Sequence, residues 1–216
     1  MKPNQFDERY WNYYLNLESD FIATQRYIAI DPDNFDAFSL EYAKQYQTIC
    51  SEVDVVCKQY CNHLCSSKNP SNILGYADVI LYEKADVKSR IVRVKNQSNI
   101  QLVPWKDWNS DPNDPLNGNN PNNISPTWWT IYNKVKHKRT SSDSNGQEFF
   151  KKANLVNTIN ALAGLFILEM YFYKDLVIAE GIHDITIPNR SSELFTIDDW
   201  ERHLSMVANG FVVCDI

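Results

Sequence analysis

Residues 128–139 read Trp128-Trp129-Thr130-Ile131-Tyr132-Asn133-Lys134-Val135-Lys136-His137-Lys138-Arg139. On a helix, at 100° per residue, Trp128, Ile131, Tyr132 and Val135 share one face and should point into a bundle. Asn133 and His137 are four apart and stack on the opposite side. His137 should therefore be exposed or meet a partner chain. Lys134, Lys136, Lys138 and Arg139 surround it, and Lys151 and Lys152 lie just past a short connector that can fold them back beside the others. An imidazole near its reference pKa of about 6.5 can move protons at a 2'-hydroxyl or a leaving oxygen. A fixed cation beside it stabilises charge building on a phosphate. The same cations, placed at a helix C-terminus, also favour the helix dipole by ~0.3–1 kcal/mol each, so the cluster has a purely structural reading too.

Other candidate constellations are weaker. Cys57, Cys61 and Cys65 recur every four residues on one helical face, a pattern open to metal binding or redox chemistry. Cys50 continues that face beside Ile49, Val53 and Leu64, so ordinary core thiols are the preferred reading. His63 points elsewhere, and His183 and His203 have no acidic or cysteine neighbours at ligand spacing. Asp111, Asn113 and Asp114 hint at calcium but lack the glycine and distal glutamate of an EF-hand. With 6 glycines in the chain, no phosphate-cradling glycine loop is present, and no serine-nucleophile motif is seen. No metal site and no cofactor is expected.

These residues need a frame. Periodicity predicts a helix over residues 7–30, with Tyr10, Tyr14, Leu17, Phe21 and Ile28 on its apolar side. Asp31-Pro32-Asp33 ends it. A second helix, 34–65, carries Phe38, Tyr42, Ile49, Val53, Val56 and Tyr60 as one stripe. Two long helices joined by a short turn lie antiparallel and begin a bundle. Ser71 is placed to cap a shorter helix reaching residue 83. A small hairpin follows over 90–104, with Asn96-Gln97-Ser98-Asn99 as its turn. Residues 106–125, rich in Asn, Asp and Pro, read as a surface loop. Ser125-Pro126 should open the helix that carries His137, with Ser125 as cap, running to residue 140. The longest helix, 147–178, is apolar nearly all round and should sit at the bundle centre. Its stripe of Ala153, Asn157, Asn160 and Gly164 should let a neighbouring helix come close, with partners found for the amides. The extension 179–216 is irregular, with a short helix over 197–204 and a final strand over 210–214 that can join the hairpin. The expectation is one mainly α domain over 1–216, a four- to five-helix bundle with a small β-hairpin and a core of about 7–178.

Composition narrows the class. The chain has 216 residues, 44% of them hydrophobic, with 12 Tyr, 10 Phe and 6 Trp. That is enough apolar surface for a real core. A net charge of -6 and a pI near 5.2 argue against a protein that coats nucleic acid over its whole surface, while allowing one local basic patch. Residues 1–14 show no signal-like apolar core. The longest apolar run, 161–173, is shorter than the ~20 residues a bilayer requires. Five cysteines, four of them clustered, suit a reducing cytosol better than a disulfide framework, so a cytoplasmic protein with no membrane partner is expected.

The segment Tyr132-Asn133-Lys134-Val135-Lys136-His137-Lys138-Arg139, followed by a long Ala/Asn/Leu helix, resembles bacterial HEPN-type helical domains, specifically abortive-infection and toxin relatives with a KH-containing motif. The preceding helix pair, with Asp33-Asn34-Phe35 and Ile49-Cys50-Ser51-Glu52-Val53-Asp54, is similar to the opening of such domains. The resemblance spans about residues 21–173. It implies a metal-independent endoribonuclease acting in phage defence or a toxin–antitoxin system. It also implies a homodimer whose arginine, polar residue and histidine converge at the interface. Carried over by position, His137 is the catalytic histidine and Asn133 the polar residue. Lys134, Lys136, Lys138, Arg139, Lys151 and Lys152 would bind RNA. The family arginine is replaced here by Tyr132, so Lys136 or Arg139 would have to substitute, or activity is absent. The alternative is a helical module that binds RNA or a protein partner without catalysis.

Overall fold

The computed structural model describes residues 1–115, 117–182 and 187–200, and two further strands, Leu204–Val207 and Gly210–Val213. The first helical stretch starts earlier and ends sooner than periodicity predicts. It comprises α1 (Pro3–Phe6), a π-helical turn Asp7–Trp11, and α2 (Asn12–Thr24). Tyr14, Leu17 and Phe21 are buried on its inner side, as is Ile30 in the turn beyond.

The second helix, α3 (Leu40–Leu64), begins six residues later than expected. Asp31 accepts the Asp33 amide at 2.9 Å and starts a 3-10 turn at Pro32–Asn34, and the Ser39 hydroxyl then caps α3 by accepting the Tyr42 amide at 3.0 Å. Phe38 therefore lies outside the helix and stays 44% exposed, while Tyr42, Ile49, Val53, Val56 and Tyr60 are buried. Next comes α4 (Ile73–Glu83), capped by Asn72 rather than Ser71: the Asn72 Oδ1 accepts the amides of Leu74 and Gly75. Asparagine and serine serve equally well as caps, so composition alone could not choose between them.

The hairpin is β1 (Val92–Val94) with β2 (Gln97–Leu102), antiparallel, and Val94 pairs with Gln97. Its turn is thus Lys95-Asn96, two residues, where residues 96–99 had been expected. Asn96 has φ +62°, a left-handed conformation that asparagine tolerates better than most residues. The third strand of this sheet is β3 (Phe195–Ile197), on the other side of β1. It takes the place the sequence offered to the final strand. That final strand, β5 (Gly210–Val213), instead pairs with β4 (Leu204–Val207); Cys214 lies outside the described residues. The short helix expected over 197–204 is absent at both ends. Ile197 closes β3, Asp199 turns the chain at φ +54°, and Leu204 opens β4.

The described residues of 106–125 form the expected loop, closed where Asn109 and Ile124 exchange backbone hydrogen bonds of 2.9 Å. Asp111 and Asp114 are engaged internally, Asp114 by the Asn117 side-chain amide at 2.8 Å. Asp111 accepts the Asn113 amide and the side-chain amides of Asn120 and Asn122. Among the described residues no three His, Cys, Asp or Glu side chains gather as a metal would require.

The helix α5 (Thr127–Lys138) follows Pro126, and no side chain caps it, so Ser125 does not have the role the sequence suggested. Residues 139–150 then turn back on themselves: the Phe149 amide reaches the Ser141 carbonyl at 2.9 Å and the Phe150 amide reaches that of Arg139 at 3.1 Å. These pairings take up the backbone groups that a helix from residue 147 would have used. A 3-10 turn, Phe149–Lys152, leads into α6 (Leu155–Ala179), capped by Asn154.

As expected, α6 is the centre of the bundle, packed most heavily on α3 and also against α5, α2 and α1. At 25 residues it is long and apolar enough to cross a bilayer by length and composition, but 89% of its most apolar window is buried within the protein. Its small residue admits rings rather than a neighbouring backbone. A Cβ on Gly164 would lie 3.1 Å from the Trp128 ring and 3.3 Å from that of Trp105. Asn157 and Asn160 satisfy their amides locally, on the carbonyls of Lys152 and Val156. The protein is mainly helical with a small antiparallel sheet.

Candidate nucleic-acid interface

Four indoles fix α5 in place. Trp105, Trp108, Trp128 and Trp129 are all buried. Trp128 donates to the Pro104 carbonyl at 2.8 Å, Trp105 to that of Gly164 at 3.1 Å, and Trp108 to that of Ile73 at 2.9 Å. These three rings thus bury a large apolar area while their N–H groups are satisfied, and Trp129 packs edge-on against Trp128. Tyr132 and Val135 continue this buried face, and the Tyr46 hydroxyl donates to the Trp128 carbonyl. With one side held so firmly, the orientation of the opposite side is settled.

His137 is exposed and Asn133 half-buried on that opposite side. Neither side chain has a hydrogen-bond or ion-pair partner among the described residues. Lys136 holds its ammonium 5.5 Å from the centre of the Tyr132 ring. Lys138 and Arg139 are exposed at the helix end. Their position in the last turn faces the negative pole of the helix dipole, which the cations oppose. Lys138 and Arg139, with Lys136 turned toward Tyr132, make the helix end that carries His137 a cationic tip.

The remaining expected residues divide. Lys134 lies over the Phe149 ring, 5.5 Å from its centre, and Lys152 pairs with Asp143 at 3.1 Å. These two lysines line one cavity of 340 Å³ together with Ser125, Thr127, Thr130, Ile131, Asp143 and Phe149. Lys151 is directed elsewhere, 5.8 Å from the centre of the Phe38 ring. The cavity was not foreseen. Its one local signal is that Thr127, Thr130 and Lys134 recur at helical spacing on one face; the contribution of Asp143, Phe149 and Lys152 depends on how the connector folds.

At the position of the expected family arginine, Tyr132 is buried against Tyr46 and Trp129, with ring centres 6.1 and 5.2 Å away. An arginine could not occupy that place without displacing the aromatic core. The thiols of Cys50, Cys57 and Cys61 are buried, and burial pushes their pKa up, that of Cys61 to about 12. Such thiols are poor nucleophiles and poor ligands. Cys65, at the helix end, is only half-buried, and a hydrogen bond with Ser67 lowers its pKa. His63 lies 5.5 Å from the Phe172 ring, and burial lowers its pKa. His183 and His203 lie outside the described residues.

No family model, curated protein or solved structure matches the chain. The case for a site therefore rests on side chains and their placement.

Proposed function

We propose that this chain is a diverged HEPN-like protein that engages RNA through the cationic tip of α5, with His137 as the group that moves a proton in metal-independent cleavage. The reading is supported by one observation above all. In a protein of net charge -6, an exposed imidazole stands among Lys136, Lys138 and Arg139 on a helix whose other face is locked into the core. Phosphate contacts supply most of the affinity of such a surface, and they make it salt-dependent. Asn133, one turn before His137, would orient the imidazole or a phosphate oxygen. Lys136 or Arg139 would stabilise charge on the phosphate, since Tyr132 cannot. A homodimer with the two His137 rings close together completes the arrangement, in a cytoplasmic setting that suits free buried thiols.

The burial of Tyr132 favours a second reading, in which the same tip binds RNA or a protein partner without cutting. The two separate on total RNA incubated with EDTA. Cleavage by the wild type that His137→Ala abolishes supports catalysis; cleavage that survives the substitution, or its absence in both, leaves binding alone. Light scattering that finds a monomer across a wide concentration range removes the two-copy site.

A further inference from the structure

From the cavity between α5 and the connector we infer a phosphate-binding site, separate from the helix tip, that takes a phosphate of the RNA strand; the inference rests on the RNA reading above. Lys134 and Lys152 stand at its wall, one braced on the Phe149 ring and the other on Asp143. Ser125, Thr127 and Thr130 add three hydroxyls, none of which has a hydrogen-bond partner among the described residues. Two directed cations with hydroxyl donors between them are what a phosphate dianion or diester requires.

One acid lies in the cavity, and its charge is already opposed. Asp143 accepts the amides of Asn145 and Gln147 at 2.9 and 3.0 Å and pairs with Lys152 at 3.1 Å. These contacts hold its pKa below the ordinary carboxylate range. Two lysines against one aspartate leave the cavity cationic. Its volume, 340 Å³, falls at the lower end of the ~300–1,000 Å³ typical of small-molecule sites, so a sugar can follow the phosphate in, against Ile131 and Phe149. Lys134 and Lys138 are four residues apart, about 6 Å along the helix, so one strand can pass from the cavity to the tip.

The test uses the whole protein and three probes: inorganic phosphate, a short 5'-phosphorylated oligoribonucleotide, and the same oligomer with a 5'-hydroxyl. Lys134→Ala leaves the Lys152–Asp143 pair intact and should weaken both oligomers about tenfold, the loss of one charge-assisted contact. It should also abolish the amide shifts that phosphate induces at Thr127 and Thr130. Lys138→Ala with Arg139→Ala should weaken RNA while sparing those shifts. A preference for the 5'-phosphorylated oligomer assigns the cavity to a strand terminus, and equal affinity assigns it to an internal phosphodiester. RNA affinity lost only in the tip variant overturns the cavity site and leaves the RNA reading standing. Phosphate-induced shifts that vanish in Lys134→Ala, in a protein without RNA affinity, uphold the site and overturn the RNA reading. Shifts unchanged by both Lys134→Ala and Thr130→Val overturn the inference outright.

Discussion

Glu18 and Glu169 are both buried glutamates on core helices, and they are buried in opposite ways. Glu18, on α2, is 1% exposed and gathers four donors. It accepts the Tyr14 hydroxyl at 2.6 Å, the Ser192 hydroxyl, and the amides of Glu193 and Leu194 at 2.8 and 3.3 Å. Three of those donors come from the segment that leads into β3, so one carboxylate fastens the C-terminal chain to the N-terminal helix. Glu169, on α6, is fully buried, and neither oxygen has a partner among the described residues. Burial, and secondarily the nearby Glu52, drive its pKa well above the ordinary value, which keeps it protonated and neutral. A buried carboxyl thus survives either by organising the backbone around it or by giving up its charge. Only the first route stabilises the fold.

The largest effect should come from Glu18→Ala. It strands four donors in the interior and releases residues 190–195, at a cost of about 3–5 kcal/mol, the range seen when one partner of a buried charged network is removed. Urea denaturation measures the loss, and hydrogen exchange at the Glu193 and Leu194 amides should accelerate. A cost under about 1 kcal/mol would make the two glutamates equivalent and end the contrast.

Glu169→Met should move stability the other way, by about 1–3 kcal/mol, because an unpartnered polar group leaves the core and a side chain of similar length fills its place. Glu169→Gln isolates the proton. The folded state holds this proton above the unfolded pKa of about 4.5, so the unfolded chain binds fewer protons there and stability falls as pH rises. The contribution is complete below pH ~4.5 and is lost progressively above it, with a limiting slope of about 1.4 kcal/mol per pH unit. The Gln variant should lack that component in urea titrations across pH. An identical slope in both proteins would place the titrating group elsewhere.

Asp7 lies between the two extremes. Its Oδ2 accepts from Asn189 at 3.0 Å while Oδ1 is buried without a partner among the described residues, and burial raises its pKa to about 6. Its contribution has the same sign as that of Glu169 and a narrower window, complete below pH ~3.8 and lost as pH passes 6. The carboxyl carbon of Asp7, followed by NMR, should titrate with a midpoint near 6. A midpoint near 4 would align it with fully solvated acids.

How far such sites can be read in advance depends on the distance over which they are assembled. The buried face of α5 was legible because Trp128, Tyr132 and Val135 repeat within three turns, and the exposure of His137 follows from the same arithmetic. The central place of α6 was legible from its continuous apolar run. Its start was not, because Gln147 to Lys152 has helix-compatible composition, and only the pairing of Phe149 and Phe150 with Ser141 and Arg139 shows where the backbone goes. The turn at Asn96 was placed one residue late and two residues too long, since a polar run does not mark which asparagine turns left-handed. β3 pairs with β1 across about a hundred residues, and no local signal encodes that partnership. The donors of Glu18 are equally remote. The cavity beside Lys134 depends on the connector's return, so its lysines were visible as cations and invisible as neighbours.

The smallest effect on stability should come from a charge that has neither burial nor a partner among the described residues. Lys138 stands exposed in the last turn of α5, where its only energetic claim on the fold is its attraction to the helix dipole. Lys138→Ala should therefore cost no more than about 0.3–1 kcal/mol, and less in high salt, because solvent and ions screen an exposed charge. The same substitution separates the two meanings of the cationic tip. If the lysine serves the dipole alone, RNA affinity is unchanged and only the melting temperature shifts. If it meets a phosphate, affinity drops and the slope of log affinity against log salt decreases by about 1, while stability barely moves. Measuring both quantities on one variant places this charge on the same scale as the two glutamates: Glu18 matters to the fold through its partners, Glu169 through their absence, and the pair of readouts decides whether Lys138 serves the helix or a ligand.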